Sequence, residues 1–145
     1  MNKQVETSWK TLKVTYGLVP IIAGLDKFTN FLVDWKQYAS PLLSHLPIPT
    51  STFMMMVGVI EIFAGGLVLS RHTRLGAYVV SAWLVAIALN LVTTGQYFDV
   101  AVRDLVMAVG AFSLAKLSEA READRAREPE RARIPIGGTR THATA

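Results

Sequence analysis

The residue whose chemistry most needs an explanation is Glu61, a carboxylate in the middle of the otherwise apolar segment 53–69. At about 1.5 Å per helical residue, it lies about 12 Å from the start of that segment. A charged side chain near the centre of a bilayer costs at least about 2.5 kcal/mol, and it persists where it faces a partner, a cavity or a ligand. Glu61 is therefore the first candidate for a functional site.

Other polar side chains stand near the ends of the neighbouring apolar segments, and the topology derived below brings them to one half of the membrane. The candidate members of this site are Glu61, Lys27, Asp26, Arg103, Asp104 and Asn90. Their depths predict one polar site that opens outward, with Glu61 as its floor. The set could bind a ligand or a proton, or its charges could pair only to fix the helix register.

Helical spacing indicates which of these side chains meet. Lys27 shares a helix face with Gly24, and Glu61 shares another with Gly58. Small residues allow membrane helices to approach closely, so both charges project from faces suited to tight contact. We expect Glu61 to face the interior and to pair with Lys27, Arg103 or both. The neighbouring Asp26 is expected to point elsewhere and to stack over the residue at i+4.

Four apolar segments must position these residues, at 12–25, 53–69, 75–92 and 100–117. Each approaches the roughly 20 residues needed to cross the hydrocarbon core. The first contains Pro20 and runs into charged residues without a small-residue cleavage site, so we expect a retained span rather than a signal peptide. The prediction is an all-α, polytopic membrane four-helix bundle in a domain at 1–117, with spans at about 10–32, 53–69, 75–92 and 100–117.

The distribution of lysine and arginine predicts the orientation of the bundle. These residues precede the first span, occupy the turn between the second and third, and follow the fourth, whereas the opposite loops, 34–52 and 93–99, hold only Lys36. Positive charge accumulates on the cytoplasmic side, so we expect a multi-pass protein of the cell inner membrane with both termini cytoplasmic. The net charge of +4 is then a topology signal, and we expect no nucleic-acid partner.

The outer loop and the C-terminal tail complete the predicted architecture. In the loop, Trp35, Tyr38, Leu42 and Leu46 recur at helical spacing. This pattern predicts a short interfacial helix in which the two aromatic residues anchor the chain at the membrane surface or act as a lid over the polar site. The tail at 118–145 is charged and is expected to be partly disordered, with the fourth helix continuing into its first part.

The sequence lacks the residues that several kinds of chemistry require. The chain has no cysteine, which excludes dithiol exchange by the chain alone, and its three histidines lie outside the apolar segments, which excludes a bis-histidine transmembrane haem. No cluster has convincing metal-ligand spacing, and no glycine-rich loop is suited to phosphate. We therefore expect no intrinsic cofactor and no metal site.

Three motifs resemble the DoxX/DoxD family of small four-helix membrane proteins, and the resemblance covers about 14–117. They are Gly24-Leu-Asp26-Lys27-Phe28, Glu61-Ile-Phe-Ala-Gly65-Gly66 and Thr73-Arg74-Leu75-Gly76-Ala77. The family was named for the membrane subunit of an archaeal thiosulfate:quinone oxidoreductase. The resemblance implies a membrane subunit associated with redox, quinone or sulfur and thiol chemistry. The long outer loop and the Arg103-Asp104 pair depart from the family pattern, so substrate specificity does not carry over.

Three functions fit these observations. The first is a membrane oxidoreductase subunit in which Glu61, Lys27 and Arg103 line a pocket for a quinone head or a small anion, since quinone carbonyls accept hydrogen bonds and their reduction needs protons. The second is a structural or assembly subunit without its own chemistry. The third is a small-molecule transport or permeability factor. The expected partners are the lipid bilayer and either other membrane subunits or further copies of the chain.

Overall fold

The computed structural model describes residues 3–41, 45 and 47–131, and within them all regular secondary structure is helical. Four long helices follow one another: α1 (Lys3–Thr29), α2 (Thr50–Leu69), α3 (Thr73–Thr93) and α4 (Phe98–Arg131). A single turn of 3₁₀ helix, Trp35–Tyr38, lies between α1 and α2. The predicted interfacial helix is thus represented by this turn, while Leu42 and Leu46 lie outside the described residues, as does the tail at 132–145.

α1 ends earlier than its predicted span, whereas α4 continues into the charged segment as predicted. α1 ends at Thr29, before the expected boundary at 32, because Asn30 adopts a left-handed conformation with a φ of 49°. Asparagine tolerates this conformation and is a common terminator of helices. α4 continues past 117 to Arg131. The first part of the charged segment therefore forms the last turns of α4.

α1 and α2 pack closely through glycines. A Cβ atom placed on Gly24 would lie 2.5 Å from the carbonyl oxygen of Gly58, and one placed on Gly58 would lie 2.6 Å from that of Gly24. Cβ atoms do not approach backbone oxygens so closely, so any larger residue would push the two helices apart. The contact lies one helical turn from both Lys27 and Glu61 and brings these two side chains within reach of each other.

Small apolar residues also fill the centre of the molecule. Ala64 and Val68 of α2 pack against buried side chains of α3 and α4, namely Ala77, Val80, Ala111, Leu114 and Ala115. Ser81 of α3 donates a hydrogen bond to the carbonyl oxygen of Ala108 on α4, at 2.9 Å. Side chains of this size allow the helices to lie close together.

The exterior of the bundle is apolar rather than polar. Phe63 of α2 is 72% exposed and Val106 of α4 is 66% exposed. By length and apolar composition, two helices could cross a membrane, α2 and α3. α1 and α4 also carry exposed apolar faces, which include Val14, Leu18, Val19, Ile22 and Leu25 on α1 and Val102, Leu105, Val109 and Phe112 on α4.

Polar contacts gather three parts of the chain at one end of the bundle. Arg121 of α4 makes a two-point ion pair with Glu6 of α1, with N–O distances of 2.6 and 2.9 Å. Lys13 of α1 donates to the carbonyl oxygen of Ser70, in the turn between α2 and α3, at 2.8 Å. The start of α1, the α2–α3 turn and the second half of α4 therefore lie together, and the outer loop lies at the opposite end.

Candidate functional site

The site is built on a buried ion pair between α1 and α2. The Nζ of Lys27 donates to the Oε2 of Glu61 at 2.6 Å, and the two side chains are only 4% and 8% exposed. The pairing of Glu61 with Lys27 and its position inside the bundle are confirmed. This distance is typical of a short, charge-assisted hydrogen bond. Neither charge is left alone in the apolar interior.

Trp35 covers the opposite side of Lys27. The ammonium nitrogen lies 3.6 Å from the centroid of the indole ring, a cation–π geometry. The indole nitrogen of the same ring donates to the Oδ2 of Asp26 at 2.7 Å. The ring is therefore fixed at both its face and its edge. It covers the ion pair from the end of the bundle at which α1 ends and α2 begins.

Asp26 points away from the Lys27–Glu61 pair, as expected, and its carboxylate binds the loop that follows α1. Its Oδ1 accepts hydrogen bonds from the backbone nitrogens of Phe31 and Leu32, at 3.0 and 2.9 Å, and from the hydroxyl of Thr29 at 3.2 Å. Together with Trp35, these donors occupy both carboxylate oxygens. Asp26 thus reverses the chain at the end of α1 and places Trp35 over Lys27.

Asp104 approaches the ion pair from α4. It is 6% exposed and shares the buried face of that helix with Ala101 and Ala108. Its charge interacts with those of the exposed Arg103, of Lys27 and of Glu61. Within the described residues its carboxylate has no hydrogen bond or close ion pair, so it is a buried acid without a direct partner.

Arg103 does not pair with Glu61, so of the expected alternatives, Lys27, Arg103 or both, the structure shows Lys27. The Arg103 side chain is exposed, and the described part of the chain shows no ion pair for it. On a helix, adjacent residues point in directions about 100° apart, and here the rotation of α4 buries Asp104 and leaves Arg103 exposed. Of these two residues, the acid faces the interior.

Asn90 holds the outer loop. Its side-chain nitrogen donates to the carbonyl oxygen of Tyr38 at 2.9 Å. The Tyr38 ring packs edge-on against Tyr97, with centroids 4.8 Å apart, and Ser40 and Thr93 share a hydrogen bond of 2.8 Å. Tyr38 and Asn90 therefore fasten the loop to the ends of α3 and α4, and neither forms a contact with Lys27 or Glu61.

Trp83 of α3 belongs to the site and was missed in the sequence. Its indole nitrogen is buried and has no hydrogen bond of normal geometry with the described residues, yet it lies close enough to Glu61 to interact with the carboxylate. A tryptophan inside an apolar helix carries a donor that needs a partner. This need for a hydrogen-bond partner is the sequence signal that could have identified Trp83 as a member of the site. We call Lys27, Glu61, Asp104, Trp35 and Trp83 the polar centre.

The polar centre combines hydrogen-bond donors with carboxylates. Lys27 and the N–H of Trp83 can donate to a carbonyl or an anionic oxygen, while Glu61 and Asp104 can accept or deliver a proton. In the described residues, no group of three or more histidine, cysteine or acidic residues is arranged to hold a metal ion. The arrangement is suited to proton transfer and to binding a small polar group.

A second network lies at the opposite end and was also missed. The guanidinium carbon of Arg121 lies 3.9 Å from the centroid of the Trp9 ring, and the indole nitrogen of Trp9 donates to Ser118 at 2.8 Å. Arg121 also forms the ion pair with Glu6, and the hydrogen bonds that it donates to that carboxylate hold the pKa of Glu6 below its usual value. Trp9 and Arg121 thus fasten α1 to α4.

The comparisons were made with protein-family models, with curated proteins and with solved structures. None of the three finds a match for this chain.

Proposed function

We propose that this chain is an integral membrane protein with four membrane-spanning helices and a polar centre that binds a small polar group and its proton. The support for four spans is the apolar exterior. Besides α2 and α3, α1 and α4 expose runs of large apolar side chains, and Phe31 beside the end of α1 is 87% exposed. Contiguous apolar surface of this extent needs lipid or a partner to cover it.

The proposed orientation places both termini in the cytoplasm. The end of the bundle that holds Glu6, Ser70 and Arg121 also carries most of the lysine and arginine residues. The positive-inside rule assigns that end to the cytoplasm. The polar centre then lies nearer the outer face, beneath the loop that carries Trp35.

The ligand that fits this chemistry best is a quinone head group. Its carbonyl oxygens need donors, and the buried N–H of Trp83 has no partner of normal geometry among the described residues. Lys27 supplies a positive charge, and Glu61 and Asp104 can deliver protons. An open apolar groove beside Asp26 offers a place for a lipophilic tail, and it is lined by Ile22, Leu25, Thr29, Phe31 and Leu32.

A role in a redox complex follows from the motif resemblance to DoxX-like membrane subunits. Within that role, the single observation that carries a ligand site is the buried indole nitrogen of Trp83, which lies near Glu61 but forms no hydrogen bond of normal geometry with the described residues. The alternative, a structural or assembly subunit, is favoured by a different observation. Lys27 and Glu61 already satisfy each other at 2.6 Å, as charges that only fix the register of α1 and α2 would do.

The experiment that separates these functions is purification of the full chain in mild detergent, with identification of co-purifying proteins and extractable quinone. A redox partner together with bound quinone supports the first function. A partner without quinone, whose binding is unchanged in Glu61→Gln, supports the assembly function. Recovery of the chain alone, with no quinone bound or taken up on addition, contradicts both.

Trp35 provides a second test of the ligand site. Trp35→Ala removes the ring over Lys27 and the hydrogen bond to Asp26, so we expect faster exchange of bound quinone while the helical content stays unchanged. Trp35→Phe keeps an aromatic face and is the matched control. Equal exchange rates in the wild type and in Trp35→Ala would show that the ring does not cover the site.

A further inference from the structure

The polar centre contains two acidic side chains, Glu61 and Asp104, and one basic side chain, Lys27. Lys27 is 5% exposed, and the two carboxylates of Glu61 and Asp104 are each 6% exposed. One ammonium group can neutralise one carboxylate, and it lies against Glu61 at 2.6 Å. With all three groups ionised, one buried negative charge would remain. An uncompensated charge of this kind costs several kcal/mol in an apolar interior.

The groups that face Asp104 from each neighbouring helix do not remove this excess. α1 contributes Lys27, and α2 contributes Glu61, whose negative charge disfavours a second one nearby. α3 has no charged residue after Arg74, at its cytoplasmic start, and it contributes the neutral Trp83. On α4 itself, the adjacent Arg103 also attracts the charge of Asp104, but its side chain is exposed, so water screens this attraction and Arg103 does not enter the buried cluster.

We propose that the polar centre is a proton-binding site in which Asp104 carries one exchangeable proton, so that the buried cluster of Lys27, Glu61 and Asp104 has no net charge. The reaction is uptake of a proton from water by the Asp104 carboxylate, and no electron moves. This inference rests on the proposed membrane bundle but needs neither a redox partner nor a quinone. In this proposal, Asp104 of α4 is the residue that supplies the proton of the site.

A protonated Asp104 changes what the site can do. The neutral acid has an O–H that can donate to Glu61 or to an oxygen atom of a ligand, whereas the carboxylate can only accept. Loss of the proton would leave two carboxylates competing for Lys27. Proton release is therefore linked to the strength of the Lys27–Glu61 pair, and a ligand that accepts the proton would loosen that pair.

Infrared spectroscopy of the full chain in lipid vesicles tests this proposal, because a protonated carboxylic acid has its own carbonyl band, which shifts in heavy water. The band should be present in the wild type near neutral pH and should disappear in alkali. It should be lost in Asp104→Asn and kept in Asp99→Asn, which alters an exposed acid at the start of α4. Absence of the band from the wild type, or its survival in Asp104→Asn, would overturn the proposal.

Glu61→Gln keeps the test decisive if Asp104→Asn does not fold. Removing the neighbouring carboxylate frees Lys27 to interact with Asp104, so the proton affinity of Asp104 should fall about tenfold or more. An unchanged titration would contradict the assignment. Loss of the band on adding sodium at constant ionic strength would show that a metal cation, rather than a proton, neutralises the site. Because no partner or quinone is present, failure of the redox proposal would leave these results unaffected.

Discussion

At the scale of single residues, Lys27 organises the polar centre through three kinds of interaction. It forms an ion pair with Glu61, lies against the face of Trp35, and attracts the more distant Asp104. These interactions replace the water that a buried ammonium group has lost. The three residues therefore differ in the number of partners that remain when one of them is replaced. Lys27 has two buried acids to pair with, whereas the two acids share one buried cation.

This difference predicts the order of the stability losses. Breaking a buried ion pair by removing one partner costs about 3–5 kcal/mol. Lys27→Met leaves two buried acids without a cation and should lie at the upper end of this range. Glu61→Gln leaves Lys27 with Asp104 and should cost less. Lys27→Met/Glu61→Leu should recover part of the loss, because the remaining site is apolar and Asp104 can be protonated. Unfolding of the purified protein in detergent measures these differences.

The exposed pair of Lys10 and Glu6 provides the control for this series. The Lys10 side chain is 66% exposed and lies 3.8 Å from Glu6. Surface ion pairs contribute about 0–1 kcal/mol, so Lys10→Met should leave the stability nearly unchanged. A loss in Lys27→Met no larger than that in Lys10→Met would contradict the buried-pair interpretation.

At the scale of helices, the separation of α1 and α2 sets the geometry of the ion pair. Gly24→Ala places a methyl group 2.5 Å from the carbonyl oxygen of Gly58, so the helices must move apart. Overpacking of this kind costs about 1–3 kcal/mol. Gly66→Ala is the matched control, because nothing lies within 4 Å of its Cβ position. We expect Gly66→Ala to be neutral or slightly stabilising, and thermal unfolding in detergent compares the two variants. Equal stability would show that close α1–α2 contact is not required.

The contact between α1 and α4 should depend on pH. Hydrogen bonds from Arg121 hold the pKa of Glu6 below its usual value. A carboxyl group with a lowered pKa in the folded protein stabilises it above the unfolded pKa, about 4.3, and this contribution disappears as the pH falls through the lower folded value. Glu6→Gln should therefore reduce the acid sensitivity of thermal unfolding. Glu122→Gln, which removes an exposed ion pair with Arg74, should not. The same acid sensitivity in Glu6→Gln and the wild type would contradict this role.

At the scale of the whole molecule, the helices bury small residues and expose large ones. Ala111 and Ala77 are fully buried, while Phe63 is 72% exposed. Proteins surrounded by water usually bury their large apolar side chains. The exposed apolar side chains of this bundle therefore support the proposed bilayer. The charged ends of the bundle then project on either side, with the outer loop at one end and the extension of α4 at the other.

The absence of cysteine makes this topology testable. A single cysteine replacing the exposed Lys36 should react with a membrane-impermeant reagent in intact cells, whereas one replacing the exposed Arg127 should react only after permeabilisation. Both variants should label fully in detergent, which controls for accessibility of the thiol. The reverse pattern would show inverted orientation, and labelling of both positions from outside would exclude the three spans that the proposal places between them.

Sequence patterns predict the helices and the Lys27–Glu61 pair because apolar segments and glycine spacing are local signals. The exposed side chain of Arg103 could not be foreseen, since the choice between Arg103 and Asp104 depends on the rotation of α4 in the bundle. The role of Asp26 depends on the path of the loop, which no periodic pattern determines. Trp83 and Trp9 were missed because an apolar segment hides the single polar atom that each of them carries.

The central claim is that the polar centre binds a ligand as well as joining two helices. Titration calorimetry with a short-chain benzoquinone measures this on the purified protein in lipid nanodiscs. We expect saturable binding to the wild type and to Glu122→Gln. Binding to folded Lys27→Met should be at least about tenfold weaker, since a hydrogen bond from a charged donor to the quinone carbonyl contributes about 1.5–3 kcal/mol. Equal affinity in the wild type and folded Lys27→Met, or no binding to either, would contradict a ligand site at the polar centre.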